Sequence, residues 1–326
     1  MGGQEVNNQT SLTEFIIIGF PSLGVYRVPL FLLLLLIYLL IITGNMLIFL
    51  VIRMNHQLHT PMYFFVSALS FLEIWYTAVT VPKMLANVWV GRTSISFSSC
   101  LLQMYFFHSL GITENYILTA MAYDRYVAIC NPLRYTSIMT SRFSTQLAGC
   151  CWILGFMSPV PKLILVSKLP FCGPNEVKHL FCDLAPLLNL VCADTALNII
   201  VDFAVSSCII VLTTLFILLT YIKIIVAILK INSSTGRNKA FSTCAAHLIV
   251  VCIFFGSVSF MYIRLQKTYS RNYDRAVAVN YSVLTPLFNP LVYSLRNKDM
   301  KECIRKYLRP KEAIPANRQI HSSVCQ

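Results

Sequence analysis

Charge is scarce in this chain. Only 12% of its 326 residues are Asp, Glu, Lys or Arg, whereas 56% are hydrophobic and the mean hydropathy is +0.67. One soluble core cannot hide that many apolar side chains, which excludes an ordinary water-soluble domain. Acids are scarcer still, at 13 against 26 Lys and Arg. There is no Gly-rich phosphate loop, no zinc-spaced His/Cys cluster and no Gly-x-Ser-x-Gly elbow in a usable context, so the common enzyme chemistries find no foothold. No paired broken helices or long internal repeat suggest a two-halved transporter, and no polar stripe marks a channel pore. Residues 1–24 are polar and lack a basic stretch followed by a short apolar core. No cleavable signal is therefore expected, and the first membrane helix serves as its own insertion signal.

What remains is a succession of apolar windows. A bilayer crossing needs about 20 mostly apolar residues. Windows at Val25–Ile52, Pro61–Val88, Phe97–Ile129, Phe143–Val166, Leu197–Leu229, Arg237–Ile263 and Arg275–Leu295 meet that need. The fold class is thus an all-α membrane protein, a seven-transmembrane helix bundle with short loops. Residues 1–24 form an extracellular tail, 25–296 the bundle and 297–326 a cytoplasmic tail. Charge sets this orientation. With the amino terminus outside, the cytoplasmic side receives Arg53, Arg125, Arg134, Arg142, Lys223, Lys230, Arg237 and Lys239, plus eight basic residues between Arg296 and Arg318. The positive-inside rule expects that asymmetry for a plasma-membrane protein with short loops. The charge is spread over membrane-flanking loops, so the pI of 9.3 does not point to nucleic acid.

Within this frame one sequon, Asn8-Gln9-Thr10, lies on the outside and marks Asn8 for glycosylation. Most of the twelve cysteines lie within helices, where a thiol packs as a small apolar group. Cys100, Cys172, Cys182 and Cys192 lie outside the bundle core and permit three pairings that spacing cannot decide. The tail segment Lys298–Leu308 repeats Met300, Ile304 and Leu308 every four residues, with Lys301, Arg305, Lys306 and Arg309 between them. That pattern predicts a short amphipathic eighth helix on the cytoplasmic leaflet. Cys303 there is an acceptor for palmitate or an unmodified thiol.

The most informative string is Met121-Ala-Tyr-Asp-Arg-Tyr-Val-Ala-Ile-Cys130, followed by Asn131-Pro132-Leu133-Arg134-Tyr135. An acid and a base at the end of a membrane helix sit where bilayer meets cytosol and can act as a switch. Together with Gly44-Asn45, Leu58-His-Thr-Pro-Met-Tyr63, Lys239-Ala-Phe-Ser-Thr-Cys-Ala-Ala-His-Leu248 and Pro286-Leu-Phe-Asn-Pro-Leu-Val-Tyr-Ser-Leu-Arg-Asn297, it resembles the odorant receptors, a branch of the rhodopsin-like G-protein-coupled receptors. Phe255-Gly256 and Phe260-Met-Tyr262 are similar to the larger tetrapod class. Departures are local: Glu73 stands where the family usually has Asp, Ala246 where Ser is common, and Phe255 where a Tyr often precedes Gly256.

The resemblance implies several roles. Asp124, Arg125 and Tyr126, with Tyr221, Asn289, Pro290 and Tyr293, would open a cytoplasmic cleft for a stimulatory G protein that raises cAMP. Cys100 would bond Cys182, and Cys172 would bond Cys192. Glu73 and Glu114 would hold a sodium ion as modulator; the alternative is two protonated glutamates bonded to neighbours, since intramembrane carboxylates need one or the other. No other cofactor is implied.

A ligand site is expected above that level. On helix three Met104, His108, Gly111 and Ile112 share a face by their spacing. On helix five Asp202, Ser206 and Ile209 form a stripe, and on helix six Phe255, Ser259 and Tyr262 do the same. Asp202 either points to outer water or favours a cationic or polar ligand. Such a pocket, mostly apolar with a few hydrogen-bonding groups, suits a small volatile organic molecule. A same-fold metabolite sensor outside the nose is the alternative, ahead of an ion channel or transporter.

Overall fold

A computed structural model describes residues 13–20, 24–172, 174–262, 275, 278–288, 292 and 298–308. The side chains of 238–240, 242–243, 246–247, 257–262, 280–281, 298–299 and 307–308 are outside the description.

Long helices dominate because a chain this apolar must satisfy its backbone polar groups within each segment. Helix α1 spans Arg27–Met54, α2 Pro61–Val90 and α3 Phe97–Cys130. A short α4 (Tyr135–Ile138) leads into α5 (Ser141–Met157) and α6 (Val160–Ser167). A five-residue α7 (Leu184–Leu188) precedes α8 (Ala196–Leu229) and α9 (Ser234–Tyr262), and α10 covers Lys298–Leu308. Among the described residues four stretches are long and apolar enough to cross a membrane: Gly24–Met54, Pro61–Val90, Ser141–Ser167 and Ala196–Leu229. Leu32, Leu33, Leu36, Leu39 and Leu40 on α1 are at least 51% exposed among the described residues, as a lipid-facing side would be.

Helix ends follow local chemistry. Ser96 accepts the Ser99 amide at 3.2 Å and starts α3, and Thr140 accepts the Phe143 amide at 3.2 Å and starts α5. Pro61 opens α2, where its missing N–H is not needed, and Gly91 ends it at φ 90°, a conformation glycine tolerates. The fourth expected span is not one helix. It breaks at Ser158-Pro159, because Pro159 and Pro161 cannot donate to the ladder. Helix α9 starts three residues before the expected Arg237. In the expected seventh span, Asn280–Leu284 forms a π-helical turn, while Asn289, Pro290 and Tyr293 lie outside the described residues. So does Asn8.

The expectation of an all-α chain needs correction at one end. Glu14–Ile17 forms β1, which pairs antiparallel with β2 (Thr93–Ser96) and parallel with β3 (Glu176–Val177). The order β2-β1-β3 puts a segment expected as free tail in the middle of the sheet. Phe15 and Ile17 are fully buried, with the Phe15 ring 5.4 Å from Phe171 and 5.9 Å from Phe97. Asn87 of α2 joins the arrangement by donating to the Ile17 carbonyl and accepting the Gly19 amide at 2.8 Å. The short run of apolar, largely β-branched residues Phe15-Ile16-Ile17-Ile18 carried this strand signal inside an otherwise polar tail.

At the bundle's centre stands α3, packed against α2, α5, α8 and α9. Its 34 residues span about 51 Å at 1.5 Å each. One chain segment therefore links the sheet end to the end that carries Asp124 and Arg125.

Candidate functional site

Two groups of side chains on α3, about 25 Å apart along the axis by the same rise, make up the site.

The first surrounds a cavity of about 590 Å³ of empty space, part of it open between helices. From α3 come Phe107, His108, Gly111, Ile112, Glu114 and Asn115; from α8 come Ser206, Ile209 and Ile210. Tyr76 of α2 and Phe254 of α9 close the sides. Tyr76 stacks on Phe107 at 5.5 Å, and Phe107 meets Phe181 of the second loop at 4.7 Å. The wall is mostly aromatic and branched aliphatic, with His108, Ser206 and Asn115 as groups that can hydrogen-bond a guest.

Several sequence-expected residues fall here and others do not. His108, Gly111, Ile112, Ser206 and Ile209 line the cavity, whereas Met104, Asp202 and Phe255 do not. Met104 is buried in a second apolar cluster, with the Cys100–Cys182 pair and β1. Phe255 is buried, but its neighbour Phe254 takes the lining position, a rotation of one helical residue. Asp202 is ion-paired with Lys162 of α6, which answers its charge from within the protein. The side chains of Ser259 and Tyr262 lie outside the described residues.

His108 is fixed from two directions. Its Nδ1 is 2.7 Å from the Met104 carbonyl, so that nitrogen must donate. Its Nε2 lies 3.4 Å from Oδ1 of Asp183, which also accepts the Leu184 amide at 2.7 Å and caps α7. Asp183 follows Cys182, and Cys182 is bonded to Cys100 with Cα atoms 5.4 Å apart. The Cys182 amide also donates to Gln103 Oε1 at 3.0 Å. Disulfide, amide and carboxylate thus lay the second loop onto α3 beside the cavity. Cys172 and Cys192 form the second pair, with Cα atoms 5.9 Å apart, closing that loop on itself.

Glu114 of α3, part of the cavity lining, and Glu73 of α2 are both buried. Asn45 of α1 donates to the Ile41 carbonyl at 3.0 Å and to the Pro286 carbonyl at 3.3 Å. The oxygens of Asn45 and Asn115 accept no hydrogen bond among the described residues. Carboxylate and amide oxygens are the donors a hard monovalent cation prefers, so the residues fit sodium in kind. Among the described residues no three His, Cys, Asp or Glu side chains gather as a metal cluster.

The second group closes α3. Arg125 Nη2 donates to Asp124 Oδ2 at 2.8 Å, and the Tyr135 hydroxyl donates to Asp124 Oδ1 at 2.8 Å. Burial, and then the neighbouring Asp124 charge, push the Tyr135 phenol well above its ordinary range, which keeps it a donor. Tyr221 of α8 is buried, and the Tyr126 ring takes Lys223 at 5.5 Å. The partner Tyr135 was missed as a functional residue, although it closes the string Asn131–Tyr135. Asp183 and Lys162 were missed because no helical period ties them to the cavity.

At the same end α10 buries Met300 and Cys303 while Glu302, Arg305 and Lys306 face outward. It touches α1. A palmitoyl group on Cys303 would require that thiol to leave its packing.

Residues 34–311 match the family model described as olfactory receptor. Among curated relatives, olfactory receptor 6N1 of Homo sapiens is 55% identical over 305 residues, covering 94% of this chain and 98% of the relative. Olfactory receptor 6K3 of Homo sapiens is 52% identical over 302 residues, covering 93% and 91%. Olfactory receptor 6K2 of Homo sapiens is 49% identical over 306 residues, covering 93% and 94%.

Proposed function

The chain belongs to the olfactory receptor family, a family of multi-pass plasma-membrane receptors and not of enzymes; from that premise we propose that it binds a small volatile organic molecule in the α3–α8–α9 cavity and activates a stimulatory G protein that raises cAMP. One observation carries the reading. A mostly apolar cavity with a few fixed polar groups and an Asp–Arg pair sit on the same continuous helix. A guest that shifts α3 or the neighbouring α9 has a rigid route to the pair that holds Arg125, and its leverage equals its differential affinity for the two arrangements.

In this reading the sheet end and the carbohydrate on Asn8 face outside, and Arg125, α4 and α10 face the cytoplasm, as the distribution of Lys and Arg supports. Tyr221, with Asn289, Pro290 and Tyr293, would rearrange around Arg125 when the cleft opens. Helix α10 would lie on the inner leaflet, its basic residues toward lipid headgroups. Glu73 and Glu114 would hold sodium in the closed arrangement, where its charge would offset two buried carboxylates. The test is expression with a cAMP reporter against a panel of volatiles, with and without the G protein. Ligand-evoked cAMP that needs the G protein supports the reading, and ligand-evoked current without it would replace the receptor by a conductor.

A further inference from the structure

At the Arg125 end a second cavity, of about 910 Å³ of empty space, opens between α1, α2 and α5. It absorbs a motif that the ligand site leaves unused, His59-Thr60-Pro61 in the turn before α2. Four features converge on it. Arg53 at the end of α1 and His59 supply positive charge or N–H donors; His59 Nε2 is 3.3 Å from the Arg53 carbonyl, which fixes that ring beside the opening. The first turns of α2 and α5 both start at the cavity, through Thr60-Pro61 and through Ser141; Thr140 takes the Phe143 amide and Pro61 has none, and the other first-turn amides have no acceptor within their own helix. Two helix ends of positive sign therefore face one space.

The third feature is polar and buried. Ser67 of α2 and Ser144 of α5 line the cavity at 3% and 2% exposure, and neither hydroxyl has a hydrogen-bond partner among the described residues. A buried hydroxyl left without a partner is costly, so a guest with acceptor oxygens would remove a penalty the protein otherwise carries. The fourth is what is missing from the wall and what replaces it. Among the described residues no Asp or Glu lines the cavity, and Ile52, Leu58, Phe64 and Met139 give it an apolar side.

We propose that this cavity binds the phosphate of an anionic phospholipid drawn from the leaflet at the Arg125 end, the cytoplasmic leaflet in the orientation given above. The phosphate sits between Arg53, His59 and the two helix ends and accepts from Ser67 and Ser144, while the acyl chains run along Phe64 and Leu58. Cations alone would suit any anion; the apolar side selects one that carries a hydrocarbon chain.

The test uses the full-length receptor purified in neutral detergent micelles and fluorescent phosphatidylinositol 4-phosphate, read by anisotropy. Saturable binding is expected, weakened roughly five- to tenfold by Arg53→Gln, since one cation near a lipid phosphate changes affinity by about that factor, and weakened also by His59→Gln, which removes the ring beside the opening. Ser144→Ala, which removes a buried unpartnered hydroxyl and so does not threaten folding, should also weaken it. Lys230→Gln, at the end of α8, should leave it unchanged. Wild-type affinity in Ser144→Ala and Arg53→Gln together, or an equal loss in Lys230→Gln, would overturn the site. Equal binding of fluorescent phosphatidylcholine, whose headgroup carries no net charge, would overturn the anionic phospholipid, and displacement by inorganic phosphate as effective as by unlabelled lipid would overturn the lipid.

Discussion

The Tyr135 hydroxyl donates to Asp124 Oδ1 at 2.8 Å, on the same carboxylate whose other oxygen holds Arg125 at 2.8 Å. Asp124 is fully buried, so its orientation is set by these two donors and by nothing from solvent. The phenol anchors α4 to the end of α3, and through the carboxylate it also aims the group that restrains Arg125.

Tyr135→Phe should therefore raise ligand-independent signalling. Losing one hydrogen bond costs about 0.5–1.5 kcal/mol, or roughly two- to twelvefold in the balance between closed and open arrangements. Because the phenol titrates far above neutrality, the wild-type contact should not vary between pH 6 and 8 on its account. Basal cAMP normalised to surface level is the readout, and wild-type basal cAMP in the variant would remove Tyr135 from the restraint.

Arg125→Ala should reach the cell surface and stay silent. Asp124 keeps the Tyr135 hydroxyl as a donor when the guanidinium is removed, so the bundle should still fold, but the cation that would meet the G protein is gone. Normal ligand-evoked cAMP from this variant would separate the Asp–Arg pair from coupling.

His108 and Asp183 should act as one unit. His108→Ala removes a cavity-wall donor, and Asp183→Asn removes the charge facing Nε2 while keeping an oxygen for the Leu184 amide. Each should shift potency roughly two- to twelvefold, at 0.5–1.5 kcal/mol for a hydrogen bond. The double variant should fall short of the product of the two shifts, since contacting residues do not contribute independently. Strictly multiplicative shifts would show that the second loop does not position His108.

Gly155→Ala should lower surface level without a specific effect on potency. A Cβ at 155 would stand 2.9 Å from the Thr113 backbone nitrogen, so α5 would be forced off α3. Overpacking of this kind costs about 1–3 kcal/mol. Gly149→Ala, on the same helix with open space at its Cβ, is the matched control and should behave as wild type. Equal surface levels for the two would refute the close approach.

How far the sequence could be read depended on the range of the interaction. The Asp124–Arg125 pair joins adjacent residues, and the His108–Gly111–Ile112 face repeats a helical period, so both were legible from spacing. Phe255 was chosen where Phe254 lines the cavity, because one residue turns a side chain by 100° and a run of neighbouring apolar residues does not fix the phase. Asp202 looked available to a ligand because its partner Lys162 comes from another helix, after a proline break that hydropathy does not register. Asp183 was invisible for a related reason. Its position is set by the Cys100–Cys182 bond across 82 residues and by no local pattern.

The order β2-β1-β3 has a consequence in time. Glu14–Ile17 is made first, yet β3 pairs Ile16 with Glu176, which leaves the ribosome 160 residues later (176 − 16). At about 5–20 residues per second the strand waits roughly 8–32 s with one edge open. Throughout that interval it presents buried-type side chains, Phe15 and Ile17, to whatever chaperone attends the nascent chain. Closing of the sheet is accordingly a late event that requires the first and second loops to be in place already. A receptor whose sheet has closed has joined segments from three separate stretches of the chain, so retention or release by quality control can be decided at β1, at the Cys100–Cys182 end of α3 and without any ligand.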